Sequence, residues 1–113
     1  MRKEEILFQI ELDNENIPEK IHWKSAIEET DELSETKAIS VSLWDHDQKN
    51  TMRIDLWTKD MPVEEMKKFY IDSIGGLAQS LLTATGDEFM AAKMNDLCEN
   101  LVAYLKKDLE SKK

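Results

Sequence analysis

Apolar and polar residues alternate along the first half of the chain with the two-residue period of β-strands. The first alternating segment places four large apolar residues on one face, namely Ile6, Phe8, Ile10 and Leu12. A shorter segment at 19–24 follows turn-forming residues and Pro18, and it carries Ile21 and Trp23 on one face. The pattern predicts two strands, the first with one buried side.

Two further alternating segments, 37–46 and 51–58, predict a β-hairpin that turns around residues 48–49. Its apolar residues are Ile39, Val41, Leu43, Met52, Ile54 and Leu56. With the turn at 48–49, Leu43 faces Ile54 and both apolar sets share one face, as a correct register requires. The stretch between the second and third strands, residues 25–36, is rich in acidic and hydroxyl residues and predicts a solvated loop.

The opposite face of this hairpin carries two tryptophans. The same register places Trp44 opposite Arg53 and Ser40 opposite Trp57. Exposed aromatic residues on the polar side of a sheet are costly unless something covers them, so either the acidic loop or a partner is expected there. The candidate partner surface, including expected neighbours, is Leu7, Trp44, Arg53, Asp55 and Trp57. We call the four hairpin residues of this set, Trp44, Arg53, Asp55 and Trp57, the tryptophan face.

Three- and four-residue spacing replaces the alternation in the second half and predicts two helices. The first begins near Met61, with Asp60 as N-cap, and extends to Thr83. Residues 85–88 have the spacing of a capping box, so a second helix follows almost at once. Such a short connection predicts an antiparallel or sharply angled pair.

Strands followed by helices indicate an α+β protein. We predict an antiparallel β-sheet of three to four strands in meander order, followed by two α-helices packed on its apolar face. The chain has 113 residues, and two separate cores would be too small to be stable. Residues 1–113 are therefore expected to form a single domain.

Charge and cysteine content narrow the partners and the compartment. The net charge of -9 would repel nucleic acid and anionic lipid surfaces. Cys98 is the only cysteine, so no intrachain disulfide can form. The amino terminus lacks the continuous apolar core of a signal peptide, and no apolar stretch approaches the ~20 residues of a membrane span. We expect a cytoplasmic protein without direct membrane insertion.

No set of residues has the spacing of a reaction centre. His46 lies between Asp45 and Asp47, a cluster that could bind a metal or transfer a proton. Consecutive strand residues point to opposite faces, however, so a polar turn is the simpler interpretation. Cys98 has no visible base beside it and is expected to be a small core residue. The sequence predicts no metal, no cofactor and no catalytic residue.

Several segments resemble the gliding motility-associated GldC family of Bacteroidota. They are ELDNENIPEKIHW (11–23), ETKAISVSLWDHDQK (35–49), MRIDLWTKDMPVEEMKKFY (52–70) and ATGDEFMA (84–91). The resemblance implies an accessory role in the gliding machinery, linked with a lipoprotein of the same apparatus. It implies no known enzymatic activity and no defined catalytic motif, so it assigns no functional residues.

Three hypotheses for the function follow. The first is a non-enzymatic accessory protein that acts by protein–protein interaction, with a component of the gliding machinery or a second copy of itself as partner. The second is a chaperone-like module that binds unfolded chains, because strands followed by two helices resemble the topology of the export chaperone SecB; such an analogy does not establish function. The third is an enzyme using His22, His46 and the acidic residues.

Overall fold

The computed structural model describes residues 2–25 and 32–111. The elements in these ranges are β1 (Ile6–Leu12), β2 (Pro18–Ser25), β3 (Ser34–Thr36), β4 (Ala38–Trp44), β5 (Thr51–Trp57), α1 (Val63–Thr85) and α2 (Glu88–Ser111). All strand pairs are antiparallel. The predicted α+β class, with antiparallel strands followed by two helices, is confirmed. The chain divides into a strand unit, Met1–Pro62, and a helix unit, Val63–Lys113.

The strand unit contains two sheets, where the alternation alone suggested one. One sheet has the order β1-β2-β3, and the other pairs β4 with β5. The division falls at Lys37, where the backbone bends between β3 and β4. Strand β3 lies inside the stretch expected to be a loop and pairs with β2. Residues 26–31 of that expected loop lie outside the described residues.

Asp13 organises the turn between β1 and β2. Its carboxylate accepts hydrogen bonds from the backbone N–H groups of Glu15 at 2.8 Å and Ile17 at 3.0 Å. Lys59 Nζ donates to the same carboxylate at 3.0 Å, and the Lys59 N–H donates to the Pro18 carbonyl at 3.1 Å. These bonds fasten the segment after β5 to the start of β2. The sequence analysis missed this connection, because it joins residues 46 positions apart.

The hairpin register predicted from a turn at 48–49 is wrong by two residues. Leu43 pairs with Met52 rather than Ile54, and the apolar residues still share one face because the shift is even. The loop is longer because Asp45 stabilises it. The Asp45 carboxylate accepts the N–H groups of Asp47 and Gln48, and Lys49 adopts a positive φ of 53°.

The helices begin later than predicted. Helix α1 starts at Val63, and Asp60 does not cap it: the Asp60 carboxylate accepts hydrogen bonds from Thr58 Oγ1 and Lys37 Nζ. The expected capping box at 85–88 is also wrong in detail. Asp87 is the N-cap of α2, because its Oδ1 accepts the Met90 N–H at 2.9 Å.

The helix unit is an antiparallel pair. Cys98 Sγ lies 3.7 Å from the Ile71 carbonyl oxygen, and Lys67 Nζ lies 3.9 Å from the Asp108 carboxylate, so the start of α1 lies beside the end of α2. The connection is two residues long, and Gly86 with φ of 72° permits it. The predicted short helical connection is therefore confirmed.

Few apolar side chains of the described residues are fully buried: Ile21 in the strand unit, and Ala78 and Ala91 in the helix unit. The apolar side of β1, predicted to be buried, has Ile6 67% exposed and Leu12 53% exposed. Alternation shows that residues share a face but not that a second layer covers that face. The exposed apolar residues are therefore the main structural feature relevant to function.

Candidate functional site

The tryptophan face runs along one side of the β4–β5 hairpin. Trp44 lies opposite Thr51, near the loop, and Trp57 lies opposite Ala38, at the far end. The predicted pairing of Trp44 with Arg53 is therefore wrong, although both residues point to the same side. Thr51 and Trp57 are six positions apart, so the two indoles are separated by about 20 Å along the strands. Trp44 is 70% exposed and Trp57 is 46% exposed.

A polar network fills the space between the two tryptophans. Arg53 Nη2 donates to Asp55 Oδ1 at 2.9 Å, and Arg53 Nε donates to Asp55 Oδ2 at 3.2 Å. The Arg53 guanidinium also donates to the hydroxyl oxygens of Ser40 and Ser42 on the facing strand. Ser40 Oγ in turn donates to Asp55 Oδ1 at 2.6 Å. The centre of the face is therefore a fixed, cross-strand set of charges and hydroxyls.

The hydrogen bond from Arg53 lowers the pKa of Asp55 below its ordinary value of 3.8, and the bond from Ser40 lowers it further. Asp55 is therefore ionised throughout the neutral range and holds the guanidinium in place. The bidentate contact also fixes the plane of the guanidinium, which a single contact would leave free to rotate. The network thus presents a rigid polar surface between two apolar ends.

Leu7 lies in a different sheet from the other four residues of the predicted partner surface. It lies in β1 of the three-stranded sheet, opposite Lys24, and the hairpin register does not bring it beside the tryptophan face. Its side chain is exposed. The sequence grouped Leu7 with the hairpin because a single continuous sheet was expected, and the division at Lys37 separates the two strands into different sheets.

The two histidines lie in different places. His22 is in β2, opposite Gln9 on one side and Glu35 on the other. His46 is in the β4–β5 loop, where the neighbouring Asp45 carboxylate is bonded to backbone N–H groups. Within the described ranges, no group of three or more His, Cys, Asp or Glu residues is placed to hold a metal ion. The loop has the bonding pattern of a polar turn.

Cys98 is half-buried at the contact between α1 and α2. Its sulfur would lie 3.9 Å from a Cβ added to Gly75, which is ordinary van der Waals contact. The position is that of a small packing residue in a helix pair.

Comparison with known protein families gives one match. The model for the gliding motility-associated protein GldC-like family matches residues 18–107, which is 90 of the 113 residues. The chain belongs to the GldC-like family. This confirms the resemblance found in the sequence segments and identifies the chain as a gliding motility-associated protein of an accessory family that is not known to contain enzymes. Neither the curated proteins nor the solved structures give a significant match.

The match includes the whole tryptophan face, so this surface belongs to the GldC-like region. Of the residues that build it, sequence reasoning missed the role of Ser42 and the bonds of Ser40. The signal was present, since Ser40, Ser42 and Trp44 share one strand face with period two. Without the correct register, however, the hydroxyls could not be assigned to Arg53.

The GldC-like chain also has an exposed apolar region in its helix unit. A groove of about 430 Å³ runs between the first turns of α1 and the last turns of α2. Its apolar lining residues are Val63, Ile71, Val102, Leu105 and Leu109. In the described helices, no segment is long and apolar enough to span a bilayer. Charged residues of both helices also line this groove.

Proposed function

We propose that this protein is a non-enzymatic accessory protein of gliding motility that acts by binding a protein partner through the tryptophan face. Membership of the GldC-like family supports the process. The observation that carries the binding proposal is the exposure of Trp44 and Trp57 at the two ends of one face, around a fixed Arg53–Asp55 pair. Trp and Arg are the residues most enriched among those that dominate binding energy at interfaces.

The network makes this face suited to binding rather than to chemistry. Arg53 is already held by Asp55 and two serine hydroxyls, so little side-chain freedom would be lost on association. The separation of about 20 Å between the indoles fits an extended partner segment better than a compact small molecule. Such a segment would place apolar side chains on both indoles and polar groups over the centre.

The proposal is tested by complementing a strain that lacks the gene. The double variant Trp44→Ala with Trp57→Ala should fail to restore gliding while accumulating to the wild-type level with an unchanged circular dichroism spectrum. The matched control is Phe89→Ala, which removes an aromatic side chain that is 74% exposed in α2. Full gliding with the double tryptophan variant would contradict the proposal.

A catalytic role is tested by the histidines. Replacing both His22 and His46 with alanine should leave gliding intact. His22 lies in a strand and His46 in a turn, and among the described residues no group of acidic side chains joins them in one site. Loss of gliding with a folded protein would revive the enzyme hypothesis and contradict this part of the proposal.

The alternative function is a chaperone-like module that binds unfolded chains. The observation in its favour is the exposure of Met52 and Met90, since flexible thioether side chains suit promiscuous apolar binding. Slowed aggregation of several unrelated client proteins would favour this alternative. Selective binding of one partner, lost in the double tryptophan variant, would favour the accessory role.

We place this protein in the cytoplasm, because its single cysteine is a free thiol, and free thiols are typical of proteins in reducing compartments. The net charge of -9 argues against nucleic acid as the partner. Cell fractionation tests the compartment directly: recovery with the cytoplasmic fraction supports the proposal, and recovery with periplasmic markers contradicts it.

A further inference from the structure

We propose that β1 is a dimerisation strand, which pairs antiparallel with β1 of a second copy and joins two three-stranded sheets into one. The proposal is independent of the tryptophan face, which lies in the other sheet. Strand β1 forms one edge of the three-stranded sheet. Strand β1 is hydrogen-bonded to β2 over its length, and among the described residues no backbone group bonds to its outer edge.

An unpaired strand edge is a template for another strand, and proteins normally blunt such edges. The other edges of this protein are blunted. Strand β3 is three residues long, and β5 carries Arg53 and Asp55. Strand β4 is uncharged, but its first four residues are half-buried. In contrast, β1 has seven residues of which six are exposed, and its only charge is Glu11.

The sequence of β1 is self-complementary in one register. Antiparallel pairing about Gln9 is the register in which all seven residues overlap, since Gln9 is the midpoint of the strand. It sets Ile6 opposite Leu12 and Phe8 opposite Ile10, so the apolar face of each copy continues into the next. Cross-strand apolar pairs of this kind are the stabilising unit of a sheet.

Charge within the strand is compatible with this register. Each chain carries a net charge of -9, so association requires a surface where like charges do not meet. In this register Glu11 lies opposite Leu7 of the second copy, and the two Glu11 residues are about 14 Å apart, beyond the screening length of about 8 Å at physiological salt. Just beyond the strand ends, Glu5 of one copy would lie opposite Asp13 of the other, where Lys59 Nζ lies 3.0 Å from the Asp13 carboxylate and offsets part of the negative charge.

The first measurement is the mass of the unmodified protein by light scattering over a dilution series. The expected mass is about 26 kDa, twice the 13.2 kDa of one chain. A monomer throughout the series would overturn the proposal. A dimer alone is not sufficient, because it could form through another surface, so the contact is then located by disulfide formation.

The locating variant is Gln9→Cys in a Cys98→Ala background, which removes the native thiol. Directly opposed residues in an antiparallel pair have Cα atoms about 4.5–5.5 Å apart, within the range that a disulfide spans. Mild oxidation should therefore give a covalent dimer. The matched control is Glu11→Cys, on the same strand face; its two sulfurs would be too far apart to bond. A dimer that does not cross-link at Gln9, or that cross-links equally at Glu11, would overturn the proposal, provided that circular dichroism shows both variants folded.

Discussion

At the residue scale, the strand unit is held by contacts between residues far apart in the sequence: Arg53 donates to Ser40 and Ser42 on the facing strand, and Lys59 donates to Asp13. Trp44 and Trp57 share a hairpin face, as the alternation predicted. Their opposing residues were wrong, because the hairpin loop is lengthened by the Asp45 side chain, whose hydrogen bonds leave no periodic signal. The pairing of Asp13 with Lys59 was missed for a similar reason, since contacts between distant positions are not encoded in local spacing.

The glycines in α1 give a residue-scale prediction. Gly75 and Gly76 lie inside α1, and a Cβ added to Gly76 would meet nothing within 4 Å. Gly76→Ala should therefore raise the free energy of unfolding by up to about 1 kcal/mol, the helix-propensity difference between the two residues. Urea denaturation measures it. The control is Gly86→Ala, which should destabilise because φ is positive there; destabilisation by Gly76→Ala would contradict the structure.

The ionised side chains predict how stability depends on pH. Hydrogen bonds lower the pKa values of Asp13, Asp55 and Asp60 below 3.8 in the folded protein. A depressed carboxyl pKa contributes stability that is present above the unfolded value and lost as pH falls through the folded value. Stability should therefore decline below about pH 3.8. In contrast, the Asp13 hydrogen bond raises the pKa of Lys59 above 10.5, so its contribution is lost at higher pH.

Thermal unfolding in acid tests this dependence. Asp55→Asn should lower stability at neutral pH and reduce the loss between neutral pH and pH 3, because the variant has no carboxylate to protonate. The control is Asp47→Asn, whose carboxylate makes no ion pair among the described residues. If stability falls by the same amount between neutral pH and pH 3 in Asp55→Asn and in the parent protein, the assigned network is contradicted.

At the element scale, the type and order of the long elements followed from periodicity, whereas short elements and boundaries did not. Helices α1 and α2 are long enough for their spacing to be unambiguous. Strand β3 was missed because its three residues, Ser34–Thr36, are polar and are paired only through their backbone. The start of α1 was misplaced because the Asp60 carboxylate does not cap the helix but accepts hydrogen bonds from Thr58 and Lys37.

The start of α2 gives an element-scale prediction. Asp87→Ala should reduce the free energy of unfolding by about 1 kcal/mol, because the Met90 N–H would lose its side-chain acceptor. Asp87→Asn retains an acceptor oxygen and should remain close to the parent protein. Urea denaturation compares the two variants. An unchanged stability in Asp87→Ala would mean that α2 is capped differently.

At the scale of the whole molecule, the sequence predicted the α+β class, but it could not predict how much apolar surface stays exposed. Burial depends on whether another layer covers a face, which periodicity does not report. The structure divides into two units after Pro62. The single domain indicated by the sequence, with the helices packed on the sheet, remains a prediction.

The single-domain proposal is tested by cooperativity. The fully buried side chains in each described unit are few, so neither unit is expected to be stable alone. Differential scanning calorimetry should show one transition whose calorimetric and van't Hoff enthalpies agree. Two resolved transitions, or a helix unit that remains folded after the strand unit melts, would contradict the proposal.

The central claim is that a protein partner occupies the tryptophan face in the cell. The most direct measurement is photo-cross-linking in gliding cells, with a photoreactive residue in place of Thr51, beside Trp44, or of Ala38, beside Trp57. The account predicts that both positions capture the same protein, and that the mass of this protein differs from that of a second copy of the chain. A photoreactive residue at Phe89 should not capture it. No adduct from the hairpin positions, or equal capture from Phe89, would contradict it.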